Sequence, residues 1–362
     1  MKSYAIVMAG GVGARFWPYG TSKLPKQFLP ITASNDTMLQ LTVNRLKDIV
    51  PIDRIFVITN KQYIGLVKKQ LPKIPKENII GEPVGRNTAP CIGLASTILK
   101  QFDEKAKMFV VPADHLIENV DEFTKVVNAG LKFVEDKDAI VTLGIVPTHP
   151  ETGYGYIQFI EDAYYNAPEN DVDIFKVKTF AEKPTADVAK IFLESGDFLW
   201  NSGMFIFRAD VMYEQMGKYL PDLYHALQKI EKAIHTAKYQ KVLEQVFAEI
   251  KSISIDYGIM EKAKNVYVIK ADLKWSDLGS WDEVYRIRTK DKNNNSIIGD
   301  TFIKDSHNNL IMSPKGFVGV IGADDLIIIN TKDGLLVCKR GRSQEVKEIV
   351  DYLKRKGLSD YI

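Results

Sequence analysis

Apolar residues follow two kinds of spacing, one typical of strands and one of helices, which alternate along the first half of the chain and recur beyond it. Short continuous apolar runs predict buried β-strands, and the stretches between them have the spacing of amphipathic helices. Strands are predicted at 4–8, 54–59, 78–81, 107–112, 140–146, 174–180 and 266–271, and helices at 38–49, 61–71, 120–134, 281–288 and 345–356, with a largely helical segment at 210–250. Such alternation is typical of an α/β fold with a Rossmann-like, doubly wound mixed sheet.

The pattern changes after residue 290. Residues 291–295 are polar and turn-rich, which predicts a boundary between a large domain at 1–290 and a small module at 291–362. Short strands are predicted beyond the boundary at 296–299, 310–313, 317–321, 326–330 and 335–339. Their even spacing favours a β-solenoid-like module, closed by the terminal helix.

Composition and charge exclude several classes of protein. The 362 residues carry a formal net charge of +2, which gives no general attraction to nucleic acid or to an anionic membrane. No stretch approaches the length of a membrane span, and the N-terminal apolar run is too short for a signal peptide. Cys91 and Cys338 lack metal-binding spacing and are typical of core residues in a reducing compartment. We therefore expect a cytoplasmic protein that binds neither nucleic acid nor membrane.

Residues 5–31 have the character of a phosphate-binding loop. A buried strand is followed by Gly10, Gly11 and Gly13, and then by two cations, Arg15 and Lys26. Glycines let backbone N–H groups approach phosphate oxygens, and the cations neutralise the charge on those oxygens. The third glycine of a dinucleotide fingerprint and the Gly-Lys-Ser/Thr of a P-loop are both missing. A glycine-rich turn with incidental surface cations is the alternative.

The order of residues in this stretch resembles that of the sugar nucleotidyltransferases, which join a nucleoside triphosphate to a sugar 1-phosphate. The resemblance rests on the pattern Gly-Gly-x-Gly-x-Arg. Trp17-Pro18 and the Pro-Lys-Gln-Phe-Leu at 25–29 narrow it to the bacterial mannose-1-phosphate guanylyltransferases. Phe16, Tyr19 and Gly20 depart from the residues more common in that family. These departures affect details of the loop and not the reaction that the resemblance implies.

The resemblance implies a nucleotidyltransferase domain followed by a short left-handed β-helix. It also implies that GTP and mannose 1-phosphate are converted into GDP-mannose and diphosphate, with Mg²⁺ as the cofactor. Arg15, Lys26 and Lys183 would stabilise charge during direct in-line attack on the α-phosphate, without a protein nucleophile. The apolar strands of the C-terminal module favour a homodimer. Two alternatives stay open: another sugar-1-phosphate nucleotidyltransferase, using a heptose phosphate or UTP, and a catalytically silent homologue that binds sugar nucleotides.

The segment at 82–96 is the predicted nucleotide loop. Glu82, Arg86 and Asn87 can offer hydrogen bonds to a base edge, and Thr88 can cap the helix that follows. The resemblance places this segment against the nucleotide. A capped helix without a ligand is the alternative, since capping alone explains Thr88.

Two aspartates follow predicted strands and are candidate magnesium ligands. Asp114 comes after the strand at 107–112, and Asp277 comes in the loop after the strand at 266–271. Ligands of α/β sheets collect at the carboxyl ends of strands, and Mg²⁺ prefers oxygen ligands, so His115 is not expected to bind it. Asp277 can instead favour the dipole of the helix at 281–288, with Ser276 or Ser280 as its cap.

The resemblance assigns the sugar phosphate to Gly155, Glu182, Lys183 and Asn201. A carboxylate can accept from two sugar hydroxyls, and a lysine can neutralise the 1-phosphate. Adjacent opposite charges on a strand usually form only a solvated face, and the Asn-Ser-Gly at 201–203 can be a turn that interrupts an apolar run. No chemistry is assigned to residues 210–250, which can serve as a lid or as packing.

Overall fold

The computed structural model of the chain describes residues 1–11, 14–167 and 171–362, so that the predicted phosphate-binding Gly13 lies outside the described residues. The strands are Ser3–Ala9 (β1), Ile55–Asn60 (β2), Ile79–Glu82 (β3), Lys107–Pro112 (β4), Leu116–Ile117 (β5), Ile140–Ile145 (β6), Gly155–Ala167 (β7), Val172–Glu182 (β8), Phe198–Arg208 (β9), Val266–Ala271 (β10), Trp275–Ser276 (β11), Ser296–Ile298 (β12), Thr301–Lys304 (β13), Leu310–Met312 (β14), Val318–Ile321 (β15), Leu326–Asn330 (β16) and Leu335–Lys339 (β17).

The α-helices are Met38–Leu46 (α1), Ile64–Gln70 (α2), Thr88–Lys100 (α3), Val120–Phe133 (α4), Ala186–Ser195 (α5), Ala209–Tyr219 (α6), Pro221–Ala233 (α7), Tyr239–Glu249 (α8), Trp281–Ile287 (α9) and Val346–Arg355 (α10). Every helix and strand predicted from the hydrophobic period is present, with ends shifted by a few residues. None of the helices in the described parts of the chain combines the length and hydropathy that a transmembrane span requires.

The chain folds into two compact units that do not follow the order of the sequence. The sheet unit contains residues 1–10, 42–113 and 117–275, and the solenoid unit contains residues 11–41, 114–116 and 276–362. Gly11, two residues after the end of β1, therefore belongs to the same unit as the C-terminal module. The boundary at residue 290 stays a prediction from composition.

The sheet unit contains a nine-stranded mixed sheet in the order β3-β2-β1-β4-β9-β6-β10-β8-β7. Strands β1 to β4 are parallel, whereas β9 runs antiparallel to both β4 and β6. The predicted doubly wound mixed sheet is confirmed. Helix α3 lies close to its neighbours because Gly93 has no Cβ, which would lie 2.7 Å from a methyl group of Leu227 on α7.

The alternative interpretation of Asn201, Ser202 and Gly203 as a turn is wrong. These residues lie inside β9, which continues to Arg208. Gly203 adopts φ +68, and the pairing of β9 with β6 shifts register between Thr142 and Gly144. A glycine at positive φ lets the strand absorb this irregularity without ending.

The solenoid unit stacks short strands in parallel. Strands β12, β14 and β16 form one parallel ladder, β13 and β15 form another, and β17 closes the first ladder in the antiparallel direction. Asn295 and Asn309 are buried at equivalent positions of successive turns, where the amide of Asn309 donates to Asn295 Oδ1 at 3.1 Å. The expected β-helix-like module is confirmed. Strand β13 was not predicted, because it is only four residues long and its two apolar residues, Phe302 and Ile303, are adjacent and do not alternate with polar ones.

Candidate active site

The first group of candidate residues lies at the carboxyl ends of the parallel strands β1, β2 and β3. It contains Gly10, Asn60, Glu82 and Gly85, which we call the strand-end pocket. Asn60 and Glu82 are register partners on neighbouring strands. Asn60 Nδ2 donates to the carbonyl oxygen of Gly10 at 3.2 Å, and Glu82 Oε2 lies 3.7 Å from the place where a Cβ on Gly10 would stand.

Glu82 is an acid that is almost completely buried. Only 3% of its surface is exposed, and its Oε1 has no hydrogen-bond partner among the described residues. Burial raises the pKa of Glu82 to about 8, because a buried carboxylate loses its hydration. At neutral pH the group is therefore mostly a neutral carboxylic acid, which can both donate and accept a hydrogen bond.

The loop after Glu82 is held by its own protein contacts. The guanidinium of Arg86 donates to the carbonyl oxygens of Phe247 and Ala248, both at 2.8 Å. Asn87, not Thr88, is the N-cap of α3, so the capping prediction for Thr88 is wrong. The Thr88 hydroxyl instead accepts from the backbone N–H of Ile255 at 2.8 Å. Two side chains of the predicted nucleotide loop, Arg86 and Thr88, thus secure the loop.

The second group lines a cavity of about 390 Å³ in the solenoid unit, which we call the lysine cavity. Its lining residues are Arg15, Phe16, Lys26, Asp114, His115, Asp277, Leu278, Gly279, Lys347 and Asp351. The predicted phosphate-binding cations and both predicted magnesium ligands therefore line one cavity, although Asp114 and Asp277 are far apart in the sequence.

Lys26 is the centre of the lysine cavity. Its side chain is 6% exposed, and its Nζ donates to Asp114 Oδ2 at 2.9 Å and to the backbone carbonyl of Asp277. Burial acts to raise the pKa of Asp114, but the charges of Lys26 and His115 and the hydrogen bond from Lys26 outweigh it, so that the pKa lies below its ordinary value. Asp114 is held as a carboxylate.

The donor set of the lysine cavity fits a magnesium ion. Asp114 is ionised, Asp277 lines the same cavity, and carboxylate oxygens are the ligands that Mg²⁺ prefers. No group of three or more His, Cys, Asp or Glu side chains suited to a metal is found among the described residues. Mg²⁺ usually keeps waters and takes substrate phosphate oxygens, so two protein carboxylates are enough.

Helix α10 contributes two cavity residues that the sequence did not indicate. Val346, Val350 and Leu353 of this helix are buried in the core of the solenoid unit, which also contains Phe16 and Trp17. Lys347 and Asp351 lie one turn apart and line the lysine cavity. Their only sequence signal is a charged face on an amphipathic helix, which most surface helices share.

Gly11 and Arg15 occupy less constrained positions. Gly11 is exposed, and its carbonyl oxygen accepts from the side chain of Gln27 at 2.9 Å. Arg15 is exposed in a short helical turn at the mouth of the lysine cavity. The loop is thus anchored through Gln27 while the guanidinium stays accessible.

The third group, which we call the Asn201 cluster, lies in the sheet unit and contains Gly155, Glu182, Lys183, Asn201 and Asp256. A Cβ on Gly155 would lie 2.5 Å from Glu182 Oε2 and 3.4 Å from the Cβ of Asn201, so any larger residue here would displace the Glu182 carboxylate. Asn201 Nδ2 donates to Asp256 Oδ1 at 2.8 Å, and its Oδ1 accepts from the backbone of Gly203 at 3.1 Å. Both ends of the Asn201 amide are therefore oriented.

Lys183 differs sharply from Lys26. Its Nζ lies 3.0 Å from Glu182 Oε1, but its side chain is 61% exposed. Lys183 also has φ +46, an uncommon conformation for a residue other than glycine. An exposed ion pair contributes little to stability, so Lys183 is free to move to another anion at low cost.

Asp256 is the member of the cluster that sequence reasoning missed. It opens a π-helical turn, Asp256–Met260, a feature often found at functional sites. Burial raises the pKa of Asp256 to about 6, the hydrogen bond from Asn201 opposes this change, and the charge of Glu182 adds to it. The order Ser-Ile-Asp-Tyr offers no motif that would have indicated this contact.

Comparison with protein families identifies two matching models. A model described as nucleotidyl transferase matches residues 4–294, and one described as MannoseP isomerase/GMP-like beta-helix domain matches residues 301–353. The mannose-1-phosphate guanylyltransferase of Salmonella montevideo is 40% identical over 361 residues, which cover 99% of this chain and 75% of that protein. The mannose-1-phosphate guanylyltransferase of Escherichia coli (strain K12) is 38% identical over 365 residues, with the same coverage of both chains.

Solved structures give the same picture of the fold. The crystal structure of mannose-1-phosphate geranyltransferase from Thermus thermophilus matches with a TM-score of 0.85 at 30% identity, over 98% of this chain and 100% of that chain. Mannose-6-phosphate isomerase from Helicobacter pylori matches with a TM-score of 0.61 at 24% identity, over 76% of this chain and 100% of that chain. The second likeness concerns the fold alone.

Proposed function

The chain belongs to the mannose-1-phosphate guanylyltransferase family of nucleotidyl transferases, and from this membership we propose that it converts GTP and mannose 1-phosphate into GDP-mannose and diphosphate. A phosphate oxygen of the sugar substrate attacks the α-phosphorus of GTP, and diphosphate leaves with its electron pair. The observation that carries the proposal is the lysine cavity, where a buried cation and two carboxylates converge in a chain similar over its length to these enzymes.

Arg15 and Lys26 act on the departing diphosphate. Lys26 is already desolvated and fixed by Asp114 and by the carbonyl of Asp277, so it needs no reorganisation when negative charge develops on the leaving group. Arg15 is exposed and can offer bidentate hydrogen bonds to phosphate oxygens. Gly10, Gly11 and Gly13 let backbone N–H groups approach the triphosphate, as a glycine-rich loop allows.

Asp114 and Asp277 would hold one Mg²⁺. When bound, the ion neutralises phosphate charge and lowers the cost of bringing two anionic substrates together. Lys26 orients Asp114 through the 2.9 Å hydrogen bond to Asp114 Oδ2.

The Asn201 cluster receives the sugar phosphate in this proposal. Lys183 exchanges its solvated pairing with Glu182 for the 1-phosphate, while Glu182 and Asn201 accept and donate hydrogen bonds to sugar hydroxyls. Gly155 keeps the space beside Glu182 free of a side chain. The guanine base is assigned to Glu82 and to the loop that Arg86, Asn87 and Thr88 secure.

Self-association through the C-terminal module is also proposed, as a homodimer. Strands β13 and β15 pair in parallel and present an apolar face, because Phe302, Phe317 and Ile321 are all exposed. Large exposed apolar side chains grouped on one small module are typical of an interaction site. Light scattering at micromolar concentration should give twice the chain mass, and Ile321→Glu should give a monomer. A monomeric wild-type protein would contradict the proposal.

Diphosphate release tests the reaction directly. The assay combines GTP or UTP with mannose 1-phosphate, glucose 1-phosphate or a heptose 1-phosphate and follows diphosphate by a coupled enzyme. We expect the highest kcat/KM for GTP with mannose 1-phosphate, by at least tenfold over each other pair. Higher kcat/KM for another pair would assign the chain a different substrate, and no turnover with any pair would identify a silent homologue.

A further inference from the structure

Two buried oxygen atoms in the strand-end pocket have no partner among the described residues. They are Asn60 Oδ1 and Glu82 Oε1, at the ends of β2 and β3. Buried polar atoms in native proteins are almost always hydrogen-bonded, so an unpaired one calls for an explanation. Two such atoms on register-paired residues call for a common explanation, and a ligand that brings hydrogen-bond donors supplies it.

The geometry around Asn60 leaves space on the side of its oxygen. Its Nδ2 donates to the carbonyl of Gly10 at 3.2 Å, which fixes the orientation of the amide. A Cβ on Gly85 would lie 3.4 Å from Asn60 Oδ1, and a Cβ on Gly10 would lie 3.7 Å from Glu82 Oε2. Glycines at both positions therefore keep side chains away from the two oxygen-bearing groups.

The chemistry of these atoms selects among nucleobases. Asn60 Oδ1 can only accept, and a neutral Glu82 accepts through one oxygen. Guanine presents a ring N–H and an exocyclic amine on adjacent atoms, which are two neighbouring donors. Uracil has one ring N–H between two carbonyl acceptors, and adenine places an acceptor beside its amine. Guanine is the base whose edge supplies donors to both oxygens.

We propose that Asn60 is a base-recognition residue, whose carboxamide oxygen accepts a hydrogen bond from the donor edge of guanine next to Glu82. The inference rests on the proposed function for the identity of the nucleotide. It moves base recognition from the later part of the loop to the ends of β2 and β3, since Arg86 and Thr88 are engaged with the backbone.

Calorimetric titration of the folded protein with GDP and with UDP tests the proposal. The two ligands share ribose and diphosphate, so the ratio of their Kd values isolates the base. In Asn60→Ala we expect the Kd for GDP to rise about tenfold or more, while the Kd for UDP changes less than twofold. A site built for hydrogen bonds loses affinity when the acceptor is removed, whereas a general loosening of the pocket would weaken both ligands equally.

Two further variants keep the result interpretable. Asn60→Thr suits the end of a strand and keeps a hydroxyl that can donate to Gly10, so it tests the loss of the carboxamide oxygen if the alanine variant does not fold. Asn78→Ala is the matched control, because Asn78 is an asparagine near β2 whose amide also donates to backbone carbonyls, those of Asp53 and Ile55. It should lower the melting temperature and leave the GDP-to-UDP ratio unchanged.

The inference is overturned if both Kd values rise by the same factor in the Asn60 variants, or if neither changes. Failure of the proposed function gives a different result. Wild-type protein would then bind GDP more tightly than UDP and yet release no diphosphate from GTP and mannose 1-phosphate.

Discussion

The lysine cavity and the strand-end pocket each contain an acid that follows or ends a parallel strand, and the two acids are in opposite states. Asp114, after β4, has a pKa below its ordinary value because Lys26 lies 2.9 Å away. Glu82, at the end of β3, has a pKa of about 8 because burial acts on it and no cation of the described chain opposes that effect. Burial and the presence or absence of a nearby lysine together decide whether an acid at a strand end is a charge or a neutral hydrogen-bonding group.

This difference matches the chemistry proposed for each region. Phosphate transfer requires fixed charges, and a carboxylate held by Lys26 provides one together with a cation. Recognition of an uncharged base requires hydrogen bonds without excess charge, which a neutral acid and Asn60 provide. The Asn201 cluster is intermediate, because Asp256 has a pKa of about 6 and a neutral amide as its partner.

The largest effect on kcat is expected from replacing the carboxylates of the lysine cavity by amides, a change that can also be made at Glu82 in the strand-end pocket. Asp114→Asn and Asp277→Asn remove a charge with little change of shape and should each lower kcat by about 10² or more, on the scale seen when electrostatic groups are removed from active sites. The double variant should lose little more than either single one, because both residues serve one site. Chelation should abolish turnover and Mg²⁺ should restore it.

Glu82→Gln is the control for that comparison. The neutral amide resembles the neutral acid, so turnover at pH 7 should stay within about fivefold of wild type, on the scale of one altered hydrogen bond. Steady-state assays of all three isosteric variants at pH 7 make the test. Equal losses in the two regions would show that the two acids do not differ in charge as described.

The next prediction removes the positive charge of the lysine cavity instead of its negative charges. Lys26→Ala should lower kcat by about 10² to 10³, since a preorganised cation on the leaving group contributes a few kcal/mol. Lys183→Ala is the matched exposed lysine, and it should mainly raise KM for mannose 1-phosphate. Circular dichroism verifies that both variants fold. A Lys26→Ala protein that is folded and as active as wild type would remove Lys26 from the mechanism.

A smaller effect concerns how the free energy of unfolding changes between pH 6 and 8. The raised pKa of Glu82 means that its contribution to the free energy of unfolding is fully present below the ordinary pKa of 4.5 and is lost progressively as pH rises from there to about 8. Between pH 6 and 8, wild type should therefore lose about 2 to 3 kcal/mol relative to Glu82→Gln. Urea unfolding of both proteins across this range measures the difference, and parallel pH profiles would contradict the raised pKa.

The smallest effect is expected in the Asn201 cluster. As pH falls through about 6, Asp256 takes up a proton and its hold on the Asn201 amide weakens, so KM for mannose 1-phosphate should rise, within about tenfold. Stability changes in the opposite direction, because an acid with a raised pKa stabilises the fold as pH falls through that value. Asp256→Asn should have a KM that is flat from pH 5 to 7. An unchanged pH profile in this variant would assign the titration to another group.

Much of the fold follows from the sequence because it depends on local regularity. The period of apolar residues predicted β4 and β10 with the ends they have in the structure. Turn-rich spacing after residue 295 predicted the β-helix-like module. Two interpretations failed, a turn at 201–203 and a cap at Thr88. In the first case the pairing of β9 with β6 decides the conformation, and in the second the backbone N–H of Ile255 takes the Thr88 hydroxyl.

For the candidate site, the sequence by itself determined which side chains are available and which of them follow strands. It indicated Arg15 and Lys26 by their order after the glycines, and Asp114 and Asp277 by their positions after predicted strands. Ligand-binding residues of α/β sheets lie at strand ends, where polar residues follow apolar runs. Only the tertiary structure decided their states. Contacts between residues distant in sequence pair Lys26 with Asp114 and place Asp256 against Asn201. They also bury the side chain of Glu82 at the end of its strand. Burial and neighbouring charge set a pKa, and neither quantity is a property of the residue or of its local sequence.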